Sequence, residues 1–332
     1  MSFKLTIGRV SILGLDALHN EAIISIIPKP ELDRDFLMFY LPTINFSDYQ
    51  DRAVKGNTLN KSKIDRLPVP VPPLSEQRAI VHALRTIREA KEVRQRELEL
   101  ERERKAALME YLFTHGTRGE TRKQTEIGEM PESWQVARLG DVAAIGSGGT
   151  PDRGKAEYWH GNIPWVKTGE INYNTIMRTE EHITEAGLAN SSARVVPAGT
   201  LLMAMYGQGV TRGRVAILGI DAALNQACAS IRTNQTILTN YLFHYLTYIY
   251  DYIRNLGHGA NQKNLNAILI KSIPVLVPPI EAQEVIAEAL DGCNKVIASI
   301  DREIVVLDEL FGACLEELMT GRLSASPLTT TE

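Results

Sequence analysis

The chain has 332 residues, 44% of them hydrophobic and 23% charged, which suits a folded protein with room for two domains and excludes wholesale disorder. No run of about 18 uncharged apolar residues occurs, and the N-terminus, with Arg9 and Asp16, lacks a signal-peptide pattern, so neither a membrane span nor secretion is expected and a cytoplasmic location is. The net charge of -4 is local: residues 280–323 hold 3 basic and 10 acidic side chains, and subtracting these from the chain's 36 and 40 leaves 33 basic against 30 acidic, room for a basic patch elsewhere.

The first segment already contains a pattern that returns. Gly8-Arg9-Val10-Ser11-Ile12-Leu13-Gly14-Leu15-Asp16-Ala17 matches Gly213-Arg214-Val215-Ala216-Ile217-Leu218-Gly219-Ile220-Asp221-Ala222, an offset of 205. In the same register Asn20 falls on Asn225, Ser25-Ile26 on Ser230-Ile231 and Phe36-Leu37 on Tyr241-Leu242. One inserted residue then brings Pro68 to Leu74 onto Pro274 to Ile280. Two unequal copies of one unit are therefore expected, each a globular segment followed by a long helix. Residue 1 aligns with about residue 206, so the first copy, residues 1–74, is expected to be the distal part of a domain with an incomplete core.

Two helices follow the proline runs, over 75–116 and 280–321. In the second, Ile286, Leu290, Cys293, Ile297, Ile300, Ile304, Leu307, Phe311, Cys314 and Leu318 form an a/d heptad seam. The same seam in the first reads Ile80, Leu84, Ile87, Lys91, Arg94, Leu98, Glu101, Lys105, Leu108 and Leu112, apolar at its ends and charged in its middle. A lone helix of this length with an apolar stripe is unstable, so the two are expected to pair as an antiparallel coiled coil; parallel pairing and pairing between chains are the alternatives. Lys91, Arg94 and Lys105 either reach past the seam to Asp301, Glu303 and Asp308 or form a surface for another subunit.

Between the helices, 123–279 reads as a complete α/β (α+β) domain, with short β-like runs at Leu201–Tyr206, Val215–Leu218 and Ala227–Ile231. A helix over Asn240–Asn255 is expected to bury Leu242, Tyr245, Ile249 and Tyr252. Residues 322–332 are expected to be a disordered tail. The loop Gly146-Ser147-Gly148-Gly149-Thr150-Pro151 lacks the spacing of a nucleotide cradle, the histidines read as isolated, and Cys228, Cys293 and Cys314 read as reduced core residues. No catalytic constellation stands out. Polar and aromatic residues at strand borders suit DNA edges and phosphates instead: Lys167, Thr168, Asn172, Tyr173, Asn174, Tyr206, Gln208, Arg212, Asn261, Gln262 and Lys263. For each, a solvated loop residue or local cap is the competing reading, and Tyr206 also reads as core.

The motifs Pro131-Glu132-Ser133-Trp134, Leu139-Gly140-Asp141-Val142, Gly148-Gly149-Thr150-Pro151, Tyr158-Trp159 and Gly161-Asn162-Ile163-Pro164-Trp165 resemble the specificity subunit of type I restriction-modification systems, as do the two Pro-Pro-x-x-x-Gln runs ending at Gln77 and Gln283. The resemblance implies a non-catalytic subunit in which each globular unit is a target recognition domain reading half of a split double-stranded DNA site and the helix pair is a spacer. It implies methyltransferase subunits and a restriction-motor subunit as partners, with S-adenosylmethionine, ATP and magnesium on those partners and no cofactor on this chain. Self-association is a further expectation. The alternative is a coiled-coil scaffold derived from such a subunit that has lost bipartite recognition.

Overall fold

A proline run cannot continue a sheet, and the residue before each proline avoids helical backbone, so both Pro-Pro runs end a globular segment and release a helix. The computed structural model describes residues 1–4, 6–49, 51–53, 56–59, 61–125, 127–207, 210–256 and 264–325. Its principal helices are α1 (Arg34–Tyr40), α2 (Leu74–His115), α3 (Thr239–Tyr248) and α4 (Ile280–Met319). The chain divides into two compact units: unit 1 is Met1–Leu100 with Ile297–Glu332, and unit 2 is Glu101–Val296. Each unit therefore takes part of α2 and part of α4.

In each unit the two long helices run antiparallel. Within unit 1, Lys91 pairs with Asp308 and Arg94 Nε lies 2.9 Å from Glu303; within unit 2, Lys105 Nζ donates to Asn294 Oδ1 at 2.6 Å. Seam residues Ile80, Leu84, Leu98 and Leu112 of α2 are buried, as are Ile286, Leu290, Cys293, Ile300 and Leu318 of α4.

The repeat has a counterpart in hydrogen bonding. Gln77 and Gln283, both fully buried, stand in the first turns of α2 and α4. Gln77 Oε1 accepts from the Asp33 amide at 2.7 Å, while its Nε2 donates to the Glu31 and Pro72 carbonyls at 2.9 and 2.7 Å. Gln283 Oε1 accepts from the Leu238 amide at 2.8 Å, and its Nε2 donates to the Thr236 and Pro278 carbonyls, both at 2.9 Å. Each amide thus binds the approach to a short helix and the end of the proline run to one long helix. Tyr40 and Tyr245 add matching hydroxyl bonds to the Pro68 and Pro274 carbonyls, at 3.1 and 3.3 Å.

Unit 2 is built on β1 (Ala143–Ser147), β2 (Trp159–Val166), β3 (Thr175–Ile176), β4 (Glu181–Ile183), β5 (Val195–Val196), β6 (Leu201–Ala204), β7 (Val215–Leu218), β8 (Ala222–Leu224) and β9 (Cys228–Thr233). They form a five-stranded sheet in the order β1-β9-β6-β7-β3 and a four-stranded one in the order β5-β8-β2-β4. The five-stranded sheet is antiparallel except at β7 and β3. A two-stranded pair, Gln135–Arg138 with Pro274–Val277, returns the chain to α4. Strands β6 to β9 are buried on both faces over most of their length instead of alternating; α3 packs with Trp134, Leu139, Val215 and Ile231 in one core.

The helix expected over Asn240–Asn255 is two helices, α3 and a short one at Tyr250–Asn255, meeting at Ile249 with φ −88° and ψ 21°. The break rotates the buried face by about one residue, so Ile253 is buried and Tyr252 is exposed instead. His244 is not isolated: its Nε2 lies 2.8 Å from Asp291 Oδ1 on α4, and Asn240 donates to the other carboxylate oxygen. At the C-terminal end, Ala325 is buried against unit 1 and its amide reaches Glu76, while residues 326–332 of the expected tail lie outside the described residues.

Two outcomes follow. Gln283→Ala leaves an amide and two carbonyls of unit 2 without partners and should cost about 2–4 kcal/mol. Trp134, Trp159 and Trp165 all lie in unit 2, so tryptophan fluorescence in urea should show this loss, whereas Gln77→Ala should move a far-UV circular dichroism transition more than the fluorescence one. The bond from His244 holds the Asp291 carboxyl below the ordinary aspartate range, with Asn240 assisting. A lowered folded value contributes stability above the unfolded pKa of about 3.9 that is lost as pH falls through the folded value. Acid titration of the fluorescence midpoint should therefore be flatter below about pH 4 in Asp291→Asn than in the parent.

Candidate nucleic-acid interface

The glycine-rich loop is filled by the protein itself. A Cβ on Gly148 would meet the Leu224 carbonyl oxygen at 2.1 Å, and one on Gly149 the Ala193 amide at 2.3 Å. Trp165 Nε1 donates to the Gly149 carbonyl at 3.0 Å, and Asn225 Nδ2 to Thr150 Oγ1 at 3.2 Å. These motif residues join the two sheets and leave no phosphate cradle.

Lys167 and Thr168 belong to the same structural set. Lys167 Nζ lies 2.7 Å from Glu180 and 3.1 Å from Glu181, and Arg153, stacked 3.7 Å over Trp159, takes Glu181 as well. Hydrogen bonding to Arg153 and Lys167 holds the Glu181 carboxyl below its ordinary range. The Lys167 charge is spent within the domain, and Thr168 opens the short 3-10 turn that follows it. Likewise, Lys91 and Arg94 meet Asp308 and Glu303 within the helix pair, two of the partners expected in the first reading, while Lys105 meets Asn294, which that reading did not include.

Apart from Tyr206, the remaining described candidates converge. Tyr173 sits between the 3-10 turn and β3 in left-handed backbone, φ 55°, with its amide donating to the Val215 carbonyl at 2.9 Å. Next to it, Asn172 accepts from Arg214 Nη1 at 2.6 Å, and Asn174 Oδ1 accepts from the Asn172 amide at 3.0 Å. The Arg214 guanidinium lies 5.6 Å from the Tyr173 ring, which meets the Tyr250 ring edge-on at 5.9 Å. Arg254 lies 5.6 Å from that second ring and donates to its hydroxyl at 3.3 Å, and Arg212 donates to the Arg254 carbonyl at 3.0 Å. Burial beside Tyr250 pushes the Tyr173 phenol well above its ordinary pKa, so it stays a neutral donor. Three arginines and two tyrosines thus share one surface, with Asp251 the acidic group acting on it. Tyr206 is 42% exposed rather than core. Gln208, Asn261, Gln262 and Lys263 lie outside the described residues.

Arg214, Tyr250 and Arg254 were not among the sequence candidates. Tyr250 and Arg254 fall in a stretch read only as a packing helix, and Arg214 in a repeat motif read as architecture. The repeat itself supplied the missing signal. Gly213 recurs as Gly8, with φ 86° and 84°, because the turn there needs left-handed backbone. Arg212, Tyr250 and Arg254, by contrast, align with Ile7, Asn45 and Tyr49. The fold is common to both copies; most of the cation–aromatic cluster is not.

No helix among the described residues is long and apolar enough to cross a membrane. The family model for the type I restriction modification DNA specificity domain matches residues 1–102 and 131–307. The specificity subunit of the type I restriction enzyme MjaIX of Methanocaldococcus jannaschii is 28% identical over 205 residues, 60% of this chain and 47% of the relative. The putative MjaX specificity subunit of the same organism is 26% identical over 315 residues, 92% of this chain and 72% of the relative. This chain therefore spans about half the length of the first relative and about three quarters of the second. A crystal structure of a type I restriction-modification S subunit from M. genitalium shares the fold, with a TM-score of 0.59 at 15% identity, over 87% of this chain and 73% of that one. With the doubled unit, the paired long helices and a family match in both halves, the chain belongs to the type I restriction-modification DNA specificity family.

Proposed function

We propose that this chain is a specificity subunit whose unit 2 reads one half of a split double-stranded DNA site. The observation that carries this reading is the Arg212–Arg214–Arg254 surface interleaved with Tyr173 and Tyr250, most of which the fold does not require, since three of its members are replaced in the other copy. Arginines supply bidentate contacts to phosphate or guanine, and Asn172 and Asn174 at its border supply donors and acceptors for base edges. The chain contributes recognition and no chemistry of its own. Methyltransferase subunits would dock on the helix pair, a restriction-motor subunit would join them, and S-adenosylmethionine, ATP and magnesium would be held by those partners, in the cytoplasm.

The test is fluorescence anisotropy of the chain, reconstituted with its methyltransferase partner, on DNA carrying the methylated sequence mapped for that complex. Arg254→Ala or Arg214→Ala removes a contact worth about 1–3 kcal/mol, so affinity should fall between about 5-fold and 150-fold. If the lost contact is to phosphate, the slope of log K against log salt should become shallower by about 1. Lys167→Ala should leave affinity within about twofold while lowering the unit 2 melting temperature, because its charge is already paired. Uniform binding to random duplexes by the parent complex would refute the reading.

A further inference from the structure

The turn between β6 and β7 sets one apolar side chain among cations. Val210 is 53% exposed. Arg212 and Arg214 follow it in the chain, and the Tyr250 hydroxyl that donates to its carbonyl also takes a bond from Arg254 at 3.3 Å. A single exposed valine is ordinary on a protein surface. What sets this one apart is the backbone beneath it.

The described part of the turn is held at both ends. Met205 donates its amide to the Ala227 carbonyl at 2.8 Å, and its own carbonyl accepts from the Leu265 amide at 3.0 Å. Gly207, at φ 140°, lies so close to Thr211 that a Cβ on it would meet the Thr211 Cβ at 2.8 Å. Beyond Val210, the Arg214 amide donates to the Thr211 carbonyl at 3.1 Å and the Gly213 amide to the Ala204 carbonyl at 2.8 Å. The Val210 carbonyl itself is taken by a side chain from another element, since Tyr250 belongs to the short helix after α3. The other copy has Asn45 at the aligned position. Valine has one side-chain torsion, and β-branching restricts it, so an apolar surface on fixed backbone loses little freedom when it is covered.

Of the groups that duplex DNA offers a protein, phosphates are charged and the major-groove edges of the bases are donors and acceptors, with one apolar exception, the 5-methyl group of thymine. The arginines and asparagines of this surface suit the polar groups. Val210 suits the methyl. We propose that Val210 is a specificity-determining residue that covers the methyl group of one thymine in the half-site, and that Tyr250 is the positioning residue that fixes its backbone. The inference rests on the reading of unit 2 as a DNA reader. Covering one methyl is worth about 0.8 kcal/mol, which is about fourfold in affinity.

The experiment uses the full chain with its methyltransferase partner and duplexes of the mapped methylated sequence in which each thymine, on either strand, is replaced in turn by deoxyuridine, which removes only the methyl group. Anisotropy of the parent should show a loss of about fourfold at one thymine. Val210→Ala should bind the unsubstituted duplex more weakly by a similar factor and no longer respond to deoxyuridine at that base pair, with the urea midpoint of tryptophan fluorescence unchanged. Tyr250→Phe keeps the ring against Tyr173 but loses the hydroxyl, and should shrink the response at the same base pair. The proposal is overturned if no thymine responds, if the sequence contains none, or if the responding thymine does so equally in Val210→Ala. It is also overturned if Val210→Ala lowers the urea midpoint, or weakens capture of the methyltransferase subunit instead of DNA, for then the valine packs or docks. A response lost in Val210→Ala but kept in full by Tyr250→Phe overturns the positioning role. A parent complex that still prefers its site to random duplexes in those cases leaves the reading of unit 2 intact, whereas uniform binding refutes that reading itself.

Discussion

The structure depends on one side-chain amide used twice. At Gln77 and Gln283 a buried carboxamide supplies two donors and an acceptor to three backbone groups from separate parts of the chain. Glutamate lacks the donors, and asparagine is one methylene shorter, so the position is chemically narrow. A satisfied amide in low dielectric is rigid, and a partly satisfied one is costly. Fixing the first turn of each long helix against its own globular segment sets the direction in which some 40 residues of helix leave it. The coiled coil inherits its geometry from these two joints.

The helix pair then tolerates a charged seam because its partner is acidic. Lys91 and Arg94 are neither buried alone nor left in water; their aliphatic stems cover the seam while their heads meet Asp308 and Glu303. Exposed pairs of this kind add little stability each. Their effect is on register, since a shift of one heptad one way keeps Lys91 opposite an acid, Asp301, but sets Arg94 opposite Val296, and a shift the other way sets the two cations opposite Leu315 and Leu310. The apolar ends supply the adhesion and the charged middle supplies the alignment.

Architecture was largely legible in the sequence: the repeat, the proline stops, the heptad seam and the mixed sheet domain each rest on a local period or a close chain match. Contacts between distant residues were not. The His244–Asp291 bond spans 47 residues and has no motif. The break at Ile249 has neither glycine nor proline to announce it, so an unbroken helical period puts Tyr252 on the buried face. Lys167 looked like a DNA contact because Glu180 and Glu181 are 13 and 14 residues away and their approach depends on how β2 and β4 pair. For the cation–aromatic surface, Arg212 is legible as a loop arginine, whereas Tyr250 and Arg254 are masked by a helical period that suits packing and Arg214 by its recurrence as Arg9.

The residues that recur, Gln77 with Gln283, Gly8 with Gly213 and Tyr40 with Tyr245, all bond backbone or shape it, so replacing them disturbs the frame. Tyr173 and Tyr250 meet through ring edges at a sheet border, and Arg214 and Arg254 reach them from the residue just before β7 and from the helix after α3. Exchange of such side chains would change the groups this surface presents without opening a ladder or a core. The acidic α4, with ten carboxylates over 280–323 against three cations, repels phosphate within a Debye length of about 8–10 Å. On the reading proposed above, duplex DNA would be disfavoured along that helix and would meet favourable charge at the arginines of unit 2, so a net negative charge is compatible with DNA reading.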